Sequence, residues 1–143
     1  MIKAIGLDLG SKTLGVAYND ILGIVHTVET FRFPFEKYDL AVDEVLKLTN
    51  KYDTKNVALG YPLNMNGSVS ERSKKCLEFK EMILKKDPSI NISMIDERLT
   101  TVQAHNYLNE MDVTSKKRKE VVDQLAAYEI LSTYLRMKEN GQL

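Results

Sequence analysis

The chain opens with Met1-Ile-Lys-Ala-Ile-Gly-Leu-Asp-Leu-Gly10, and the acid inside that run constrains the fold more than any other feature. Strand alternation puts Ile2, Ala4, Gly6 and Asp8 on one face and Ile5, Leu7 and Leu9 on the other. From Ala4 to Leu9 every residue except Asp8 is apolar or glycine, the pattern of a strand buried on both faces. A carboxylate in such a strand is costly unless it is paired, hydrogen-bonded or bound to a metal. Gly10 and Ser11 end the strand, so Asp8 falls near a sheet edge that a ligand can reach. Taken alone it reads as a strand-end Asp capping a turn. Other acids converging on it would turn it into a site.

The turn Gly10-Ser-Lys-Thr-Leu-Gly15 leads into Val16-Ala-Tyr18, a hairpin. Residues 23–31 are dense in β-branched side chains and predict a third strand. The period then changes. Leu40, Ala41, Val45, Leu48 and Tyr52 recur at helical spacing, predicting a helix over 38–51. Residues 56–60 form a short buried strand, and 61–67 a loop marked by Pro62 and Asn66-Gly67. Ser68-Val-Ser-Glu71 has the capping-box pattern. The helix after it turns Cys76, Leu77, Phe79, Ile83 and Leu84 inward and stops before Pro88. Residues 90–95 are the fifth strand. Thr100 to Gln103 can cap a further helix with Ala104, Tyr107, Leu108 and Met111 as its stripe. A long last helix spans 115–139 and ends at Gly141. Strands four and five are reached through helices, so each is parallel to its neighbour. The expected architecture is α/β: a mixed five-stranded sheet, three antiparallel strands then two parallel, flanked by helices.

The fifth strand ends in Asp96-Glu97-Arg98. Its C-terminal end shares a sheet edge with the end of strand one, where open α/β sheets bind ligands. Alternation sends Asp96 and Glu97 to opposite faces, so at most one can point at Asp8; Glu97 is nearer the exit. In the last helix Asp123, Ala126, Ala127, Ile130 and Tyr134 fall on one face. Asp123 therefore points inward, where an Asp needs a cation or a donor; the structural alternative is a salt bridge to Lys12 or Arg98. Asp8, Glu97 and Asp123 together would be an all-oxygen site suited to Mg²⁺ or Mn²⁺ rather than zinc. Such ions can activate a water and stabilise the leaving oxygen of a phosphodiester.

Length and charge narrow the class. The 143 residues fit one domain, 1–143, around one core. Lys+Arg and Asp+Glu are equal at 20 each, so no overall basic field grips nucleic acid. The single cysteine, Cys76, excludes an internal disulfide and a Cys-based zinc site. No apolar run approaches the ~20 residues that span a bilayer, and no leader pattern opens the chain. A cytoplasmic location without membrane contact is expected.

At these residues the chain resembles the YqgF/RuvX family. The segments that carry the resemblance are Ile5 to Ser11 with Gly15-Val-Ala17, Leu59-Gly-Tyr-Pro-Leu-Asn-Met-Asn-Gly-Ser68, Asp96-Glu-Arg-Leu-Thr-Thr-Val-Gln-Ala104 and Val122-Asp-Gln-Leu-Ala-Ala127. They extend over about 2–135. Tyr61 stands where Leu or Val is expected, and Gln124 where a small residue is. The resemblance implies a ribonuclease-H-like fold in bacterial cytoplasm and a nuclease that processes the 5′ end of pre-16S ribosomal RNA. Older naming made the family a Holliday-junction resolvase. It also implies that Asp8, Glu97 and Asp123 are the catalytic, metal-holding acids and that cleavage leaves a 5′-phosphate and a 3′-hydroxyl.

Other side chains could touch a nucleic-acid backbone, each with a plainer reading beside it. Lys12 and Thr13 flank Asp8 in the hairpin, or are a solvated turn. Asn64, Asn66 and Ser68 precede a helix N-terminus, a natural phosphate site, or form an ordinary Asn-Gly turn. Arg98 could clamp a phosphate bidentately or neutralise Asp96. Thr100 is a cap first and a contact second. Lys116 and Lys117 open the basic run 116–119 on the helix that carries Asp123, and with Arg72 they are also ordinary surface charges. His26 and His105 lack partners at metal-ligand spacing. Tyr128 and Tyr134 read as packing residues.

Three function classes follow. The first is a metal-dependent phosphodiesterase on structured RNA such as pre-16S rRNA, or on branched DNA as a junction resolvase. The second is an ATP-handling fold of the sugar-kinase and actin kind, which needs two such domains. The third is a non-catalytic nucleic-acid-binding module. An RNA end needs one active site and so a monomer or weak homodimer; a four-way junction needs a symmetric dimer.

Overall fold

The computed structural model describes residues 2–98 and 115–143 and, within them, every side chain except those of 115–120 and 123. Strands β1 (Ile5–Leu9) and β2 (Thr13–Asn19) form the expected hairpin, with Asp8 opposite Gly15. The Gly10 amide closes the turn onto the Thr13 carbonyl at 2.7 Å. A Cβ at Gly10 would lie 2.7 Å from the Thr13 hydroxyl, which would have to turn away to admit it.

The third strand departs from expectation. It divides into β3 (Val25–Thr27) and β4 (Phe31–Arg32), both paired antiparallel with β2. Between the two pieces, residues 28–30 face only Gly15 and Val16 of β2, so one residue is surplus and the ladder breaks, as at a β-bulge. Among the described residues the sheet thus has six strands, not five, in the order β3-β2-β1-β5-β6 with β4 also on β2.

Helix α1 (Tyr38–Lys51) follows, then β5 (Asn56–Tyr61), α2 (Glu71–Lys86), β6 (Asn91–Asp96) and α3 (Ser115–Glu139). β5 is parallel to β1, and β6 to β5, as their helical crossovers require. The α2 N-cap is Ser70, not Ser68. Its hydroxyl accepts from the Ser73 amide at 3.1 Å, and the Ser73 hydroxyl accepts from the Ser70 amide at 2.7 Å. Ser68 is instead engaged with Asn64 and Asn66 in the preceding loop. Cys76, Phe79 and Ile83 point inward as expected, whereas Leu77 on α2 and Leu40 on α1 are exposed. Gly141, at φ +70, ends α3 and donates to the Lys138 carbonyl. The helix expected after Thr100, over Ala104 to Met111, lies outside the described residues.

The two sheet faces differ in grain. Ile5, Leu7, Leu9, Leu14, Val16 and Leu59 pack with Val45, Phe79 and Ile83 under α1 and α2. The opposite face offers Ala4, Ala17, Ala58 and Ile95 to Ala127, Ile130, Leu131 and Tyr134 of α3. Those small residues let α3 come very close. A Cβ on Gly6 would lie 2.7 Å from the Leu131 Cβ and 2.8 Å from the Ala127 carbonyl oxygen. α3 runs opposite to β1. Its Leu135 and Lys138 share a cleft with Ile2 and Asn19, and Gln124 shares one with Thr30 and Arg32 at the other end. The helical turn containing residue 123 is therefore at the sheet end where Asp8 sits.

Candidate active site

Side-chain parity assembles the site. Asp8 follows Ala4 and Gly6 onto the α3 face of the sheet, and Glu97 follows Ile95 onto the same face. Asp96 goes to the other side. That resolves which acid of the Asp96-Glu97 pair faces Asp8. The Glu97 amide donates to the Tyr61 carbonyl at 3.3 Å, extending the β5–β6 pairing one residue beyond the strand.

β5 separates the two acids, and the ladder places its Gly60 beside Ile95 and one step beyond the Leu7–Leu59 pair. Gly60 is what allows the acids to meet. A Cβ there would lie 2.7 Å from Glu97 Cδ, 2.8 Å from Glu97 Oε1 and 2.6 Å from Ile130 Cδ1. With hydrogen in its place, the Glu97 side chain lies across the strand and hydrogen-bonds the Asp8 carboxyl. Sequence reasoning did not single out Gly60. Its signal was present, since glycine inside a buried strand marks a close approach.

Two carboxyls in mutual contact cannot both be ionised cheaply. Burial pushes the Glu97 carboxyl up to about 9, reinforced by the Asp8 charge and their hydrogen bond. Burial also raises Asp8, opposed by its bond to Glu97 and by the Arg72 charge. The Glu97 carboxyl thus keeps its proton well above the usual carboxylate range. Arg72, in the first turn of α2, reaches over the strand ends to the Leu9 carbonyl at 3.3 Å and sets its positive charge beside both acids.

The remaining expected contacts divide. Arg98 spends its guanidinium on Asp96, with bonds of 2.8 and 2.6 Å to Asp96 Oδ2, and holds Asp96 below the usual carboxylate range. A further Arg98 nitrogen donates to the Met65 carbonyl at 3.4 Å, bracing the loop after β5. In that loop Asn64 Nδ2 donates to the Ser68 hydroxyl at 3.0 Å, and that hydroxyl donates to Asn66 Oδ1 at 2.6 Å. These three side chains close the turn on themselves and are not turned to the acid pair. Lys12 is exposed at the hairpin tip, while Thr13 is buried. Asp123 stands on α3 at the correct end of the sheet, and its side chain is outside the described residues, as are those of Lys116 and Lys117. Thr100 is likewise outside them. His26 pairs with Asp20 at 2.6 Å, well away from the acids in sequence and fold. Tyr134 is buried packing, as expected; Tyr128 is exposed.

The profile of the RuvX family, described as Holliday junction resolvase, matches residues 2–137. The chain belongs to the RuvX family. A relative from Staphylococcus carnosus (strain TM300), named "Putative pre-16S rRNA nuclease", is 43% identical over 134 residues, 93% of this chain and 94% of that one. A Staphylococcus aureus (strain N315) protein of the same name is 42% identical over the same shares. Among solved structures, Thermus thermophilus RuvC in complex with a Holliday junction superposes with TM-score 0.58 at 13% identity, covering 96% of each chain. The fowlpox virus resolvase bound to junction DNA gives 0.59 at 10% identity, covering 96% of this chain and 99% of that one. The yeast mitochondrial resolvase Ydc2 gives 0.58 at 10%, covering 95% and 78%. At such identities the likeness is one of fold, and this RuvX chain has the ribonuclease-H-like fold of those neighbours. None of its described helices is long and apolar enough to cross a membrane.

Proposed function

We propose that this RuvX chain is a metal-dependent nuclease that hydrolyses phosphodiester bonds in structured RNA, in processing the 5′ end of pre-16S rRNA. The observation that carries this reading is the contact of the Asp8 and Glu97 carboxyls across Gly60. A pair of acids kept together at a sheet end, with one forced to hold a proton, is poised to exchange that proton for a cation. The donors are all oxygen, which suits Mg²⁺ or Mn²⁺. Asp8 and Glu97 would hold it, joined by Asp123 from α3. A divalent cation bound there supplies a more acidic water and neutralises charge at the leaving oxygen.

The chain's own groups do the rest. With a cation held there, Glu97 would be a carboxylate whose oxygens can orient an attacking water. Arg72, exposed beside the pair, offers a fixed positive charge to the non-bridging oxygens of the scissile phosphate. Lys12 adds a second, mobile one. Ile130 closes over Gly60 and keeps bulk water from the α3 side of the acids.

The RNA substrate is favoured by the relatives above 40% identity, all named for pre-16S rRNA. The junction-resolvase reading rests on the family description and on fold neighbours at 10–13% identity. Incubating the protein in parallel with a precursor-rRNA 5′ fragment and a four-way DNA junction, with Mg²⁺ or chelator, separates the two. Metal-dependent RNA cleavage that is lost in Asp8→Asn is the expected result. Paired nicks in the junction alone would replace it with the resolvase reading and demand a dimer. Undiminished RNA cleavage by Asp8→Asn would remove the acid-pair mechanism.

A further inference from the structure

A second feature adjoins the acid pair on the other side of the strand ends. Phe31, Phe33 and Phe35 alternate in sequence, so a continuing strand would turn all three toward the core. Phe33 is buried, but Phe35 is 60% exposed. The reversal has a local cause: Pro34 follows the end of β4, and Glu36 adopts φ +56, a left-handed backbone that only a few per cent of non-glycine residues take. Residues held this way cluster at binding and catalytic sites.

The surroundings hold this conformation at three points. The Phe33 amide donates to the Lys12 carbonyl at 2.9 Å, and the Glu36 amide to the Ser11 carbonyl at 2.8 Å. The Glu36 carboxylate pairs with Lys75 of α2 at 3.3 Å. Two of these anchors are on the turn that directly follows Asp8 and Leu9. The backbone on either side of Phe35 is therefore tied to the turn that follows the Asp8 strand. Phe35 forms one wall of a largely apolar cleft of about 270 Å³ that Leu9, Gly10 and Arg72 also line. Arg72 is thus common to the cleft and to the acid pair. The carboxylates at the rim have partners: Glu36 with Lys75, and Glu71 with Lys74 at 3.5 Å.

We propose that Phe35 is a base-stacking platform, and that the cleft beside it takes an unpaired nucleobase next to the scissile phosphate. This rests on the nuclease reading and narrows it to substrates with an unpaired nucleotide at the cut. A flat, apolar, exposed ring on an anchored backbone, adjoining a cation, fits a base with its phosphate on Arg72; a base inside a duplex keeps both faces stacked in its helix and cannot enter. Stacking of this kind is tolerant of base identity, so the site selects for strandedness rather than sequence.

The chain has seven tyrosines but no tryptophan, so Phe35→Trp introduces a sole tryptophan, excited selectively at the red edge of its absorption, at an exposed position. In an Asp8→Asn background, titration with an unstructured oligoribonucleotide should quench that emission, and a blunt-ended duplex of equal length should not. Phe35→Ala should weaken single-strand binding by about 5- to 150-fold, the range that stacking losses span, with Phe35→Tyr restoring it. Unchanged emission at saturating single strand, or Phe35→Ala binding as wild type, overturns the proposal. If wild type still cleaves RNA in that case, the nuclease reading survives. Quenching by single strands with no cleavage of any substrate by wild type supports the stacking site and overturns the nuclease reading.

Discussion

At the scale of single residues, the site depends on what Gly60 lacks as much as on what Asp8 and Glu97 supply. Gly60→Ala puts a methyl within 2.8 Å of the Glu97 carboxyl and of Ile130. It should cost about 1–3 kcal/mol of stability, the usual range for overpacking. It should also depress cleavage although no charge is altered; denaturant melts alongside activity measurements check both. Asp8→Asn and Glu97→Gln should each lower metal-dependent cleavage by more than ~100-fold, the upper end of the loss when only a support of a metal ligand is removed. That Asp8 needed a partner was legible in the sequence, because a carboxylate in an apolar strand is costly alone; which of Asp96 and Glu97 meets it was not. Gly60 was not singled out, since its role exists only once a third strand lies alongside. Arg98 shows the opposite case. It had two equally simple readings, and the bonds to Asp96 and Met65 make it a brace for the strand end and the loop.

At the scale of elements, α2 and the β6 terminus each carry a measurable consequence. Ser70→Ala removes the hydroxyl that accepts from the Ser73 amide and donates to the Pro62 carbonyl at 2.6 Å. It should cost about 1 kcal/mol and loosen Arg72, two residues on, in the first turn of α2. Equilibrium unfolding measures the first effect and the KM for RNA the second. Capping-box spacing alone pointed to Ser68 with Glu71. The structure uses Ser70 because Ser68 is already committed to the Asn64–Asn66 turn. The β6 terminus sets a pH dependence. Glu97 titrates near 9 in the fold against an ordinary 4.5, so the folded chain holds a proton that the unfolded chain has lost. Its contribution is therefore complete below about 4.5 and fades as pH rises through about 9. The metal-free protein should melt at progressively lower temperature between pH 5 and 9. Glu97→Gln should flatten that slope, and Mg²⁺ should raise the melting temperature most at the alkaline end. A scan of circular dichroism melts in chelator and in Mg²⁺ tests all three.

At the scale of the whole molecule, α1, α2 and α3 and the parallel character of β5 and β6 could be read from period and connection length alone. The number of strands could not. Residues 23–31 have uniform β propensity, and only their pairing with the seven residues of β2 reveals the surplus residue that divides them. The inward stripe of α3 was visible as Ala126, Ala127, Ile130 and Tyr134, all of which are buried. How near that stripe comes to the sheet was not, because Gly6 and Ala127 must be opposed before their smallness matters. Gly6→Ala tests that closeness. It should push α3 off the sheet at Leu131, cost about 1–3 kcal/mol and, on the proposed function, reduce cleavage because the same helix carries Asp123. Retained activity at full stability would show that α3 has room to spare.

The acid pair is contributed by the first strand and by the residue just past the last one, with β5 between them. A chain still under synthesis therefore carries half a site for most of its length. Asp8 gains its partner only after β5 has docked and β6 has been added beyond it. The two carboxyls thus meet only when the sheet is complete, so their contact reports on the assembly of the whole sheet rather than on any local stretch of chain.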